Sequence, residues 1–371
     1  MIFSFKALSI FKRYTAYFLL ALSLFLAFHL SVWFGFNSKI FDSAPAYVGD
    51  LARLGYQIDS IQARELSNTL PLQHIGVETW KDQPIDILSI GDSFANGMAG
   101  GKNPYFQDYL ASEGGLSVLN IQNIRQEYSY IETILILLNS GWLRKHRPSS
   151  ILIETVQREM QGRFERPMNW DLSMALSEVE KNLFNRGWAP FVPPLSPINT
   201  ANYKLPLFNM LYAFSPSAFR KSKVYKLALK EPLFDAEASS TLLLYKTDVE
   251  WLSHPNKQNM QRINNNFNRL AELLEKEDIR LYVMPAVDKY DLYEPYIKEN
   301  PYQKNIFFDL LRPLDKSYRL IDTKAILAPL LTKGVKDVFY ADDTHWSYKA
   351  SHAISEALLK QYNFLQTESG N

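Results

Sequence analysis

The chain has 371 residues, 47% of them hydrophobic, with 40 Lys and Arg against 39 Asp and Glu. That supports one large domain or two ordinary ones around a substantial core and excludes a mainly disordered chain. The formal charge of +1 argues against a nucleic-acid partner, and the absence of cysteine excludes disulfides, thiol nucleophiles and Cys-ligated zinc.

The N-terminus is organised differently from the rest. Residues 1–36 contain Lys6, Lys12 and Arg13 and no acid, while residues 14–36 carry no charge at all. As a helix, 14–36 would measure roughly 34 Å, enough to cross a bilayer core of about 30 Å. The apolar run is too long for the core of a signal peptide and ends in Val32, Trp33, Phe34 and Phe36 rather than at a small-residue cleavage site. The expectation is an uncleaved anchor in the cytoplasmic membrane, with its basic end in the cytoplasm and everything beyond residue 37 extracytoplasmic. Residues 37–82 read as a juxtamembrane segment of short helices, and residues 83–371 as the main domain.

Five β-type runs follow, at 85–90, 116–121, 150–156, 279–284 and 318–321. Helical patterns lie between them at 105–112, 128–145 and 258–276, the last with Ile263, Phe267, Leu270, Leu273 and Leu274 on one stripe. Alternation of this kind predicts an α/β fold, a five-stranded parallel sheet covered on both faces, with ligands at the carboxyl ends of its strands. A stretch rich in Pro and aromatic residues, about 157–246, interrupts the alternation. It reads as an insertion packed over one end of the sheet, placed to line a cleft or to lie against the bilayer, or as an elaborated core element without ligand contacts.

Two motifs carry chemistry. A β-run leads directly into Gly91-Asp92-Ser93, where the glycine permits a sharp turn and the serine hydroxyl is presented above the sheet. Near the C-terminus, Asp342-Asp343-Thr344-His345-Trp346 supplies what such a serine lacks. A hydroxyl is a poor nucleophile until a base takes its proton, and that histidine needs an acid to orient it. Either Asp343 or Asp342 is near enough in sequence to serve. No ligand spacing for a catalytic metal and no cofactor motif occurs, and Gly100-Gly101-Lys102 lacks the flanking residues of a phosphate loop.

Taken together, the two motifs resemble the SGNH hydrolase superfamily, with Gly-Asp-Ser near the start and an Asp/His block near the end. Asp343-Thr344-His345-Trp346 is similar to the signature of the SGNH-like O-acetyltransferases of exopolysaccharides such as alginate. Leu281–Pro285 with Lys289-Tyr290, and Leu320-Ile321-Asp322, are similar to further segments of those proteins. The resemblance covers about residues 83–156 and 258–362. It implies a three-layer αβα fold in which Ser93 is the nucleophile, His345 the base and Asp343, ahead of Asp342, the orienting acid. The chain departs from the family in the oxyanion positions. The second strand exit, 120–125, has no glycine and the third, 154–159, no asparagine. Gly91, Asn123, Gln157, Arg158 and Trp346 remain as candidate oxyanion or substrate-binding residues.

The resemblance implies transfer of an acetyl group through an acyl-serine to a polysaccharide or envelope-glycan hydroxyl, with a membrane-bound O-acyltransferase as acetyl donor. The alternatives are an esterase or deacetylase using the same residues and a non-catalytic glycan-binding or assembly protein.

Overall fold

The computed structural model describes residues 5–41, 48–184, 196–219 and 222–369. A mixed α/β body is built on a six-stranded, wholly parallel sheet. In chain order its strands are β1 (Ile75–Gly76), β2 (Ile87–Ile90), β3 (Val118–Ile121) and β4 (Ser150–Val156). After a separate antiparallel hairpin of β5 (Val224–Ala228) and β6 (Thr241–Tyr245) come β7 (Arg280–Ala286) and β8 (Arg319–Leu320). The spatial order is β1-β3-β2-β4-β7-β8. The expected five strands are therefore corrected to six. The addition, β1, is two residues long and pairs with β3 alone, so it leaves no β-type run to read.

Strands β2, β3 and β4 are buried along their whole length, as their apolar sequences require for a sheet covered on both sides. The helix Tyr130–Asn139 starts in a capping box, with Ser129 accepting from the Glu132 N–H and the Glu132 side chain accepting from the Ser129 N–H. It packs with the helix Lys257–Glu275, which buries Met260, Ile263, Phe267, Leu270 and Leu274. The helix Phe106–Gly114 packs against the C-terminal helix Tyr348–Ser369, which also meets Thr323–Thr332. The chain leaves β2 to one side to make β3, then crosses back to the other side of β2 for β4. The carboxyl end of β2 thus lies at the point where strand order reverses, the usual place for a ligand crevice in an open α/β sheet.

The N-terminal helix is long and apolar enough to cross a membrane from Ile10 to Phe41, five residues beyond the expected end. It runs Phe5–Val32 and continues as a π-helical turn, Trp33–Asn37, and a last turn, Ser38–Phe41. Beyond it, Asp50–Gly55 and Ile58–Ser60 are helical and the chain is then irregular to β1. The insertion between β4 and β7 contributes Met160–Phe164, Leu176–Phe184, the helix Ala201–Tyr212 and the β5-β6 hairpin. Its Trp188, Pro190, Pro193 and Pro194 lie outside the described residues.

Candidate active site

The turn after β2 is shaped by a carboxyl group underneath it. Glu154, wholly buried in β4, accepts the N–H groups of Asp92 (2.9 Å) and Ala95 (3.3 Å) through Oε2. A Cβ on Gly91 would sit 2.5 Å from that oxygen and 2.7 Å from the Ala95 Cβ, so only glycine lets the chain pass this close. Burial, reinforced by nearby Asp92, pushes the Glu154 carboxyl well above its ordinary range, which favours the protonated form. Asp92 locks the same turn from the other side. Its Oδ1 accepts from Phe94 N–H at 3.2 Å, and its Oδ2 accepts from Val156 N–H at 2.8 Å and from Arg163 at 2.6 Å.

Ser93, held at the top of this turn, meets the loop that precedes the C-terminal helix. The Ser93 Oγ lies 2.7 Å from His345 Nε2, and His345 Nδ1 lies 2.6 Å from Asp343 Oδ1. The His345 backbone N–H also donates to Asp343 Oδ1 at 3.0 Å, so the carboxylate fixes both ring and backbone. Burial alone would raise the Asp343 carboxyl. The His345 imidazolium, its hydrogen bonds and Arg64 outweigh it and bring the group down to about 2. Burial likewise disfavours a charged His345, but Asp343 prevails and raises its pKa above the usual imidazole value.

Of the two candidate acids, then, it is Asp343 that reaches the imidazole. Asp342 turns away to Arg64, which donates Nη1 to Oδ2 (3.1 Å) and Nη2 to Oδ1 (2.9 Å) and also reaches Asp343 Oδ2 at 3.2 Å. Gly49 N–H donates to Asp342 Oδ2 at 2.8 Å, and Asp50 accepts from the Thr344 N–H (2.8 Å) and hydroxyl (2.7 Å). Burial, with Asp343 nearby, raises Asp50 to about 6. From the opposite direction, buried Lys289 donates to the carbonyl oxygens of Tyr340 (2.7 Å), Ala341 (3.1 Å) and Asp343 (2.9 Å). Burial lowers this ammonium to about 8. Asp50, Asp343 and His345 bring one donor atom each within 4.8 Å of one another, a spacing that could hold a cation. Here those donors are engaged in the hydrogen bonds to Ser93, Thr344 and each other.

The serine opens onto a cleft of about 280 Å³ lined by Gly91, Asn96, Met98, Gln122, Asn123 and Tyr130 among others. Asn96 Oδ1 accepts from Gln122 (2.6 Å) and Asn120 (3.1 Å), which fixes its amide at the cleft wall. Asn123 Oδ1 accepts from the Thr133 hydroxyl at 3.1 Å, and its amide nitrogen donates to none of the described residues. The Ser93 backbone N–H has no acceptor among the described residues either. Three candidates lie elsewhere. Gln157 is turned to Asp291 (2.9 Å) and the Asp288 N–H (2.9 Å). Arg158 pairs with Asp288 (2.7 Å) and Asp248 (3.0 Å). Trp346 is buried against Phe94, with ring centroids 4.6 Å apart.

Glu154, Arg64, Asp50 and Asn96 were not anticipated. Glu154 had a signal, a lone carboxylate in the otherwise uncharged run Ser150–Val156. No protein-family model matches this chain, and no curated protein is significantly similar to it.

Proposed function

We propose that the protein is a membrane-anchored serine O-acyltransferase of SGNH type, moving an acetyl group to a hydroxyl of an exopolysaccharide or envelope glycan outside the cytoplasmic membrane. The observation that carries this reading is the unbroken chain Ser93 Oγ–His345–Asp343, with both links at or below 2.7 Å, opening onto a cleft. His345 takes the Ser93 proton as Oγ forms a bond to the acyl carbon, and gives it to the donor's leaving group as the bond between the acyl carbon and that group breaks. In the second half a sugar hydroxyl gives its proton to His345 and attacks the acyl-serine, and the Ser93 oxygen recovers the proton as it departs. In this reading the Ser93 N–H and the amide of Asn123, which lines the same cleft, receive the oxyanion. The side-chain amides of Asn96, Gln122, Asn123 and Gln126 in the cleft wall offer both donors and acceptors to a hydroxylated acceptor. A membrane-bound O-acyltransferase is the donor that the resemblance implies.

The test is intact mass of the full-length protein after exposure to an activated acetyl ester, with and without an acceptor oligosaccharide. An adduct of about 42 Da, the mass of an acetyl replacing a hydrogen, that is absent in Ser93→Ala supports the acyl-serine. Passage of the label to sugar supports the transferase, and release to water alone supports the esterase. A folded protein that forms no adduct and turns over no ester refutes both.

A further inference from the structure

The helix Ala201–Tyr212 has two apolar faces and only one is covered. Ala201, Leu205 and Phe208 are buried in a cluster with Ile40, at the end of the membrane-spanning helix, and with Ala52 and Tyr56. On the opposite side Tyr203, Leu207, Met210 and Phe214 are 50%, 44%, 56% and 85% exposed. At about 100° per residue these four fall within an arc of about 60°, a continuous stripe running off the helix end.

What lies against the covered side says what the stripe faces. Asn202, wholly buried, donates to His29 Nδ1 (2.9 Å) and accepts from Asn37 (2.8 Å), and Tyr203 OH lies 3.1 Å from His29 Nε2. The Tyr203 ring stacks on Phe28 at 5.0 Å. All three partners belong to the N-terminal helix. His29 is sixteen residues beyond Arg13. With the basic pair Lys12 and Arg13 at one membrane boundary, His29 stands about 24 Å into a hydrocarbon core about 30 Å thick. Asn37, at about 36 Å, stands just past the far boundary. Polar side chains at such depth need partners, and the Asn202 amide supplies them.

We infer that Ala201–Tyr212 is a second membrane element, lying along the outer interface beside the end of the anchor, with Leu207, Met210 and Phe214 turned to lipid and Tyr203 packed on the anchor. Its covered face ties the helix to the outer end of the anchor through Ile40, Asn37 and His29, which holds the uncovered stripe at the membrane surface, and this is why lipid is its occupant. The inference rests on the anchor spanning the bilayer, so the experiment reports on that separately.

Because the chain contains no cysteine, single cysteines can be spin-labelled in the full-length protein. Leu207→Cys and Met210→Cys probe the stripe, Leu22→Cys the anchor and Glu272→Cys an exposed site on the helix Lys257–Glu275. Each is placed in nanodiscs of phosphatidylcholine and phosphatidylglycerol holding one copy, and collision with oxygen is compared with collision with a water-soluble nickel chelate. The expected result is that positions 207 and 210 shift to the oxygen-accessible side with position 22, while 272 stays chelate-accessible. Chelate access at 207 and 210 with position 22 in lipid overturns the inference and leaves the anchor standing. A chelate-accessible position 22 overturns both.

Discussion

Replacing Asp343 by Asn keeps the side chain's size and removes the charge on which His345 depends. The carboxylate now takes the imidazole N–H at 2.6 Å, the His345 backbone N–H at 3.0 Å and Arg64 at 3.2 Å. An amide has one acceptor oxygen for these donors, and it can turn its own NH2 to the ring and select the wrong tautomer. The expected loss in acetyl-ester turnover is about 10⁴-fold, close to 5 kcal/mol in the barrier. The pH profile carries a second signature. In the native protein turnover is expected to fall on the acid side as His345 gains a proton, at a pH raised by Asp343. In Asp343→Asn, burial of the ring acts without that counterweight, so the residual activity keeps its acid limb to lower pH. Initial rates with an activated acetyl ester between roughly pH 5 and pH 9 measure both effects. Turnover in Asp343→Asn within about tenfold of native refutes the assignment. So does an equal collapse in a folded Asp342→Asn, since Asp342 faces Arg64 and not the ring.

Arg64→Met leaves Asp342 and Asp343 buried without their shared cation, and thermal or denaturant unfolding is expected to show a loss of about 3–5 kcal/mol. Arg64→Lys, which keeps the charge but not the fork, falls between. Gly91→Ala drives a Cβ to 2.5 Å from Glu154 Oε2, so the Ser93 turn has to move. Turnover is expected to drop about 10²-fold while the melt shows a cost of about 1–3 kcal/mol. Asp343, held down at about 2, favours the ionised folded state. Its contribution is complete above the unfolded carboxylate range and is lost as pH falls from about 4 towards 2, on the order of 2 kcal/mol. Melts over that window are expected to fall more steeply for the native protein than for Asp343→Asn.

What the sequence makes legible is local. Ser150–Val156 is an apolar run bounded by polar residues, and β4 occupies the expected range. Gly91 and Ser93, like Asp343 and His345, lie within two residues of each other, so their spacing alone suggests a turn and an oriented base. Strand β8 shrinks to Arg319–Leu320 because only two residues pair with β7. The β5-β6 hairpin lies in a Pro-rich region whose composition masks two five-residue strands. Gln157 and Arg158 sit at a strand exit, where a helper would be sought. A 3₁₀ turn from Gln157 to Glu159 carries them instead towards Asp248, Asp288 and Asp291. Arg64 and Asp50 belong to no periodic pattern, and only tertiary contact reveals them.

The contacts between the stem and the histidine loop also set a clock. Gly49, Asp50 and Arg64 bind residues that follow them by 293, 294 and 278 positions, and Ser93 meets His345 across 252. At about 5–20 residues per second, the stem waits roughly 15–60 s during synthesis before its partners exist. Through that interval Arg64 has neither aspartate and Ser93 has no imidazole beside it. The nascent chain can therefore complete its sheet before Ser93 and His345 meet, and all of these contacts form together once the loop ahead of the last helix has been made.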